Sequence, residues 1–239
     1  IEIDKAYDEA IKYTRIDQIL IEEYVDGLEI GAQAFSVDGK CIKVLLHNDY
    51  LSNPPYMIPI GHSFPITSID EKYLQNIKNS IIDAVESLGI SDGPSNIDLI
   101  LEDNKRVKII EIGARIGATC LPELVKYHTG IDWVKESIYV SLGLTPKLNS
   151  KINTPVLAYV LQSPKDGILK EIIIPEKILN DKNILDIEIT SNIGEKVNKF
   201  RNGTDRLGKI IITNNSVRES EIIINKLVSE IQIILEWRF

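Results

Sequence analysis

Two short apolar runs, each broken by a single acid, constrain this chain more than any other feature. Ile97-Asp98-Leu99-Ile100-Leu101 is followed by Ile109-Ile110-Glu111-Ile112-Gly113-Ala114-Arg115, with Asp103-Asn104 as the turn between them. Runs of this length, rich in Ile and Leu and bounded by turn residues, predict two strands of an antiparallel hairpin. Side chains alternate along a strand, so Asp98 shares a face with Ile100, and Glu111 on the neighbouring strand can approach it. Two carboxylates on one partly buried face repel each other and lose hydration. A hard divalent cation relieves both costs, and Mg²⁺ is commonly held by one or two carboxylates together with phosphate oxygens. Arg115 adds a fixed positive charge suited to a phosphate or acyl phosphate, and Gly113 and Gly117 permit close backbone approach. The alternative for an arbitrary hairpin is a pair of acids pointing to solvent, with Arg115 in a surface ion pair.

The rest of the pattern predicts an α+β fold. Asp4 caps a helix over about 5–14, Ile19–Tyr24 is a short β-favouring run, and Leu28–Ser36 and Cys41–Leu46 form a hairpin around Asp38-Gly39. Residues 47–66, with Asn53-Pro54-Pro55, Pro59, Gly61 and Pro65, read as irregular loop. Leu74, Ile77, Ile81, Ala84, Val85 and Leu88 recur at helical spacing and Gly89 stops them. Helices follow at 121–127 and 133–142, and a polar stretch at 147–153 suggests a boundary between a unit 1–146 and a smaller unit 147–239. The second unit has strands near 154–162, 168–174, 185–190 and 208–213, then a long helix over 216–236, with Trp133 and Trp237 as packing residues.

Net charge is −8, with no basic stripe, which disfavours nucleic-acid binding by phosphate neutralisation. No apolar run is long enough to span a membrane, and Cys41 and Cys120 lack metal-type spacing, so a reduced cytoplasmic chain is expected. A first residue of Ile1 rather than Met suggests a fragment or processed chain.

The run Glu111-Ile-Gly-Ala-Arg115 resembles the second metal-ligand strand of the ATP-grasp ligases, with Asp98 at the first metal ligand. Upstream, Ile21-Glu22-Glu23-Tyr24-Val25-Asp26-Gly27-Leu28-Glu29 resembles that family's hinge and adenine segment, and the helix over 70–88 stands where the family has one. The resemblance covers most of residues 1–145. It implies the carboxyl-terminal half of an ATP-grasp fold, an antiparallel sheet flanked by helices, plus a small carboxyl-terminal α/β domain covering the site. It further implies ATP between two antiparallel sheets, with Glu22, Glu23 and Val25 in the adenine segment, Glu23 and Val25 reading the base through their backbones. Glu29 would hold the ribose hydroxyls, Ile100 and Ile110 would form the apolar floor, and Asp98 and Glu111 would bind Mg²⁺, with Mn²⁺ as an alternative. Arg115 would contact the γ-phosphate or acyl phosphate. Gly113 stands where many members carry an Asn ligand, a departure that resembles L-amino-acid ligases. The family's two nucleotide-binding lysines and amino-terminal domain have no counterpart in this sequence, so the chain alone is expected to be inactive.

Ile60-Gly61-His62-Ser63-Phe64-Pro65 resembles a Gly-His-x-x-Pro stretch that lines the substrate pocket in amino-acid ligases of the family. His62 would then orient a carboxylate or transfer a proton; the alternative is a structural loop histidine. His47 and His128 read as structural or exposed, and Arg206 as an ion-pair former. The resemblance therefore implies an ATP-dependent carboxylate–amine ligase that works through an acyl phosphate on small carboxylate and amine substrates, amino acids foremost, with a homo-oligomer as an open option. Alternatives are a phosphoribosylglycinamide-synthetase-like or biotin-carboxylase-like ligase and, from another class, a non-catalytic nucleotide-binding module.

Overall fold

A computed structural model of the chain describes residues 3–53, 56–103 and 105–236. Pro54, Pro55, Asn104 and Trp237 lie outside the described residues.

The elements are helix α1 (Ile3–Ala10), strands β1 (Leu28–Val37), β2 (Lys40–Leu51) and β3 (Pro59–Phe64), helix α2 (Glu71–Ser87), strands β4 (Gly93–Glu102) and β5 (Arg106–Gly113), and helices α3 (Leu121–Thr129) and α4 (Trp133–Ser141). They are followed by β6 (Val156–Gln162), β7 (Gly167–Ile173), α5 (Glu176–Leu179), β8 (Ile184–Ile189), β9 (Lys196–Val197), β10 (Arg206–Thr213), α6 (Val217–Glu230) and β11 (Gln232–Glu236). Eight strands form one antiparallel sheet in the order β5-β4-β1-β2-β3-β6-β10-β8, and β11-β7-β9 form a smaller one. The fold is thus a mixed α and β architecture built on an antiparallel sheet with helices, as the strand and helix patterning predicted.

Local chemistry explains the hairpin and helix limits. Asp38 and Gly39 both take positive φ at the β1–β2 turn, the conformation that a tight hairpin twist requires. Asp70 caps α2 by accepting a hydrogen bond from the Lys72 amide, and Ile77, Ile81 and Val85 form its buried stripe. That stripe packs on Ile30, Ala32, Ala34, Ile97, Leu99 and Leu101, one face of β1 and β4. On the opposite face, Phe35 packs with Trp133, Leu121 and Leu124 of α3 and α4. Only part of that second face is covered by α3 and α4. The stretch from Glu29 to Gln33 is left to a polar site.

Three expectations fail. Residues 19–24 form no strand; they have no regular structure and are largely exposed, because their β-favouring side chains find no sheet edge to join. The supposed loop 47–66 contains the end of β2 and all of β3. Pro59 is the first residue of β3, a position where a missing amide is tolerated, and polar side-chain bonds satisfy the buried residues. The last helix stops at Glu230, and Gln232–Glu236 pairs with β7 because an edge strand is available to a β-branched run.

Strand β3 joins the two parts of the sheet, pairing with β2 on one side and β6 on the other, with His62 opposite Ala158. A Cβ on Gly61 would stand 2.2 Å from the Ala158 carbonyl oxygen, a backbone atom held within a central strand. Gly61→Ala is therefore expected to lower unfolding stability by about 2 kcal/mol or more, measured by urea denaturation; an unchanged midpoint would show that the β3–β6 seam is looser than this.

Candidate active site

Glu111 reaches Asp98 through a β-bulge. Asp98 pairs with Glu111, but the next residue, Leu99, pairs with Ile109, so Ile110 is the extra residue. The bulge lets Ile109 and Ile112, three positions apart, both pack on the core. It leaves Ile110, which is exposed, beside Glu111 on the side opposite that core. Antiparallel pairing then carries the row onward. Asp98 is opposite Gly31, Gly31 opposite His47, and two residues along β2 Asp49 is opposite His62.

Two glycines make room for this row. A Cβ on Gly31 would lie 2.1 Å from His47 Cε1, so the imidazole lies across β1 where any other residue would block it. A Cβ on Gly117 would lie 2.6 Å from Gln33 Oε1 and 2.7 Å from Asn96 Oδ1. At Gly113, by contrast, an added Cβ would meet only Arg115 at an ordinary 3.6 Å, so space alone does not demand glycine there.

Glu29, His47, Asp49, His62, Asn96, Asp98, Arg115 and Thr119 line one small cavity of about 140 Å³. Asp49 Oδ1 accepts from His47 Nδ1 at 2.7 Å and from His62 Nδ1 at 2.5 Å. Burial alone would raise the Asp49 proton affinity, but the two imidazoles outweigh it and hold the carboxyl well below the usual range. His62 is pushed down by its burial, against the pull of Asp49. Asp98 is pushed up by burial and by the charges of Asp49 and Glu111; Glu29 is pushed up by burial and by Asp49 and Asp98. The cavity is therefore a cluster of mutually repelling carboxylates with one exposed guanidinium, Arg115, whose Nη1 donates to the Ile116 carbonyl.

Two donor sets can take a cation. Asp98 and Glu111 offer only oxygen, the hard-ligand chemistry of Mg²⁺. His47, Asp49 and His62 have ligand atoms within 4.8 Å of one another, a mixed imidazole and carboxylate set.

Of the residues singled out from sequence, Glu29, His62, Asp98 and Arg115 line the same cavity, and Glu111 is paired directly with Asp98. Ile100 is half-buried on the Asp98 face, opposite Glu29. Glu22, Glu23 and Val25 lie in the irregular segment before β1 and are not among the residues lining the cavity. Sequence reasoning missed Gln33, His47, Asp49 and Asn96. Their signal was the same period of two that picked out Asp98, running Glu29-Gly31-Gln33 on β1 and His47-Asp49 on β2. Reading 47–66 as loop hid the second run, and His47 is buried inside the site.

Residues 2–123 match a model of the ATP-grasp domain, and residues 159–236 match a model described as L-amino acid ligase C-terminal domain 2. Among solved structures, phosphoribosylglycinamide synthetase from Anaerococcus prevotii is similar with a TM-score of 0.81 at 30% identity, over 98% of this chain and 61% of that one. The L-amino acid ligase from Bacillus licheniformis has a TM-score of 0.79 at 23% identity, over 90% of this chain and 53% of its own. A curated relative, the N-terminal section of the carbamoyl phosphate synthase large chain of Methanopyrus kandleri, is 25% identical over 149 residues, 60% of this chain and 25% of that protein. The chain thus spans between a quarter and three fifths of the length of these relatives.

The buried histidine has a measurable consequence for stability. The folded-state pKa of His62 lies below its ordinary value of 6.5. The unfolded chain therefore binds a proton that the folded chain refuses, and stability is lost as pH falls from about 6.5 toward the depressed value. Urea unfolding between pH 7.5 and 5.5 is expected to show this loss in the wild type and a smaller loss in His62→Asn; equal slopes would refute it.

Proposed function

This chain belongs to the ATP-grasp family, and from that premise we propose that it forms part of an ATP-dependent carboxylate–amine ligase of the L-amino-acid-ligase type. The single observation that carries this reading is the bulge-aligned pairing of Glu111 with Asp98, which lines a carboxylate-rich cavity together with Arg115.

In this reading Asp98 and Glu111 hold Mg²⁺, or Mn²⁺ in its place. The donor set fits, because the two carboxylates contribute only hard oxygen ligands and burial, with the charges of Asp49 and Glu111, raises the proton affinity of Asp98, a cost that a divalent cation relieves. When bound, the metal supplies charge neutralisation for the ATP phosphates. Arg115 steadies the transferring phosphoryl group and the acyl phosphate. Glu29 accepts from the ribose hydroxyls, Ile100 and Ile110 give apolar contact to the base, and the segment with Glu22, Glu23 and Val25 reads the adenine edge. His62 takes the proton that the amine sheds as it attacks the acyl phosphate. The work of the protein is mainly positioning and charge stabilisation, with no covalent enzyme intermediate required.

The match of residues 159–236 to the L-amino acid ligase C-terminal domain favours amino acids as substrates over the phosphoribosylglycinamide-synthetase-like and biotin-carboxylase-like alternatives. A nucleotide-binding module without turnover is the competing reading from another class.

The test uses the full-length protein, screened for ADP and phosphate release over pairs of carboxylates and amines. Amine-dependent release is expected, and Asp98→Asn and Glu111→Gln should each abolish it; retained turnover in both variants would defeat the assignment. Arg115→Met is expected to lower kcat by about 10²–10³-fold. Calorimetry showing nucleotide binding with no turnover for any pair would favour the binding module.

A further inference from the structure

A second cavity opens where the central sheet is notched. β3 pairs with β2 only from Asn48 to Leu51, so residues 42–46 of β2 have no strand partner on that side. All five line a cavity of about 480 Å³, together with Phe64, Ile66, Leu74 and Lys78 of α2, and His128 of α3. The Lys151 and Thr154 amides donate to the Thr129 and His128 carbonyls at 2.9 and 3.0 Å, which holds the segment 150–153 against the end of α3 as a further wall. The walls are mostly apolar, and among the described residues none that lines the cavity is acidic. It shares no lining residue with the catalytic cavity. Phe64 separates the two: its ring stacks on His128 at 5.2 Å between centroids and meets His47 edge-on at 5.3 Å.

Lys43 and Lys78 are both half-buried at this cavity, and neither makes an ion pair among the described residues. The residues three and four positions from Lys78 along α2, Leu74, Gln75, Ile81 and Ile82, carry no charge. Lys43 stands opposite Phe35 on β1 and donates one of its three protons to Ser150 Oγ at 2.8 Å. Burial and the charge of Lys78 lower its proton affinity. Two ammonium groups crowded at one apolar cavity lose hydration and repel each other, and an anion between them relieves both costs. We propose that this cavity is a second ligand site, outside the catalytic one, for a small carboxylic acid with an apolar body: Lys43 and Lys78 hold the carboxylate, and the walls around Phe64 and Leu74 take the hydrocarbon. The volume exceeds what a bare inorganic ion fills and lies in the range of organic-ligand pockets. No arginine lines the cavity to fork onto a phosphate, which favours a carboxylate. The inference stands apart from the ligase reading.

Calorimetric titration of the full-length protein tests this with isocaproate and phenylacetate as probes. Their neutral primary amides are the controls, and inorganic phosphate is the competing anion. At least one of the two acids is expected to bind, more tightly than its amide and more tightly than phosphate. Lys43→Gln and Lys78→Gln should each weaken that binding by about 10–100-fold. Asp98→Asn should leave it intact, because the two cavities have no residue in common. Failure of both acids to bind would overturn the proposal, as would equal affinity for an acid and its amide, or tighter binding of phosphate. Undiminished affinity in both folded lysine variants, or affinity lost in a folded Asp98→Asn, would place the acid elsewhere and overturn it too. Should the lysine variants fail to fold, the comparison of acid, amide and phosphate on the wild type still decides.

Discussion

The site depends on one extra residue in an edge strand. Without the bulge at Ile110, strict alternation from Ile112 would put Ile110 in the core and turn Ile109 outward. With it, Ile109 and Ile112 both reach the core beneath α2, and Glu111 stays aligned with Asp98. Apolar burial thus drives the placement of the charged pair. Two partly buried isoleucines packed against the core, each worth roughly 1 kcal/mol of burial, hold in register a carboxylate whose approach to Asp98 is itself unfavourable. Edge strands tolerate such insertions, since only one neighbour must adapt.

The rest of the cavity is assembled across the sheet. Gly31 has no side chain, so the His47 ring can lie over β1, and Asp49 bridges His47 on its own strand to His62 on the next. His62 is in turn fixed by backbone pairing to Ala158 on β6. Residues from the part matched to the ATP-grasp domain and from the part beyond it therefore share one continuous sheet. Side chains reinforce that continuity. Tyr50 on β2 donates to Glu221 of α6 at 2.7 Å, and the part-buried Lys209 on β10 bridges Glu123 of α3 and Glu188 of β8 at 2.6 and 3.1 Å. The buried end of such an ion pair loses little to solvent screening, which makes it a better tie than the exposed pairs elsewhere on the surface.

Much of this was legible in the residues alone. The two interrupted apolar runs, the Asp38-Gly39 turn and the helical stripe of Ile77, Ile81 and Val85 each carry a local signal strong enough to survive any tertiary context. The runs that were misread lack one. His47-Asn48-Asp49 is too polar to announce a strand, and it forms one only because neighbouring side chains satisfy each group; Asn48, for instance, bonds to Ser63, Pro65 and Thr67. Gln232–Glu236 looks helical by continuity and becomes a strand because β7 offers it an unpaired edge.

By itself, the sequence determined the alternation that makes Asp98 and Glu111 candidates, the turns and caps that divide the chain, and the glycines that leave space at positions 31 and 117. Those are short-range matters, settled by backbone sterics and side-chain period. The tertiary structure alone decided that Glu111 faces Asp98 despite a broken register, that His47 and Asp49 belong with them, and that Gln33 on β1 meets Asn96 on β4. These depend on which strands become neighbours and on where each amide and carbonyl finds a partner. Residues far apart in the chain meet only after the sheet has formed, so no local pattern encodes the meeting.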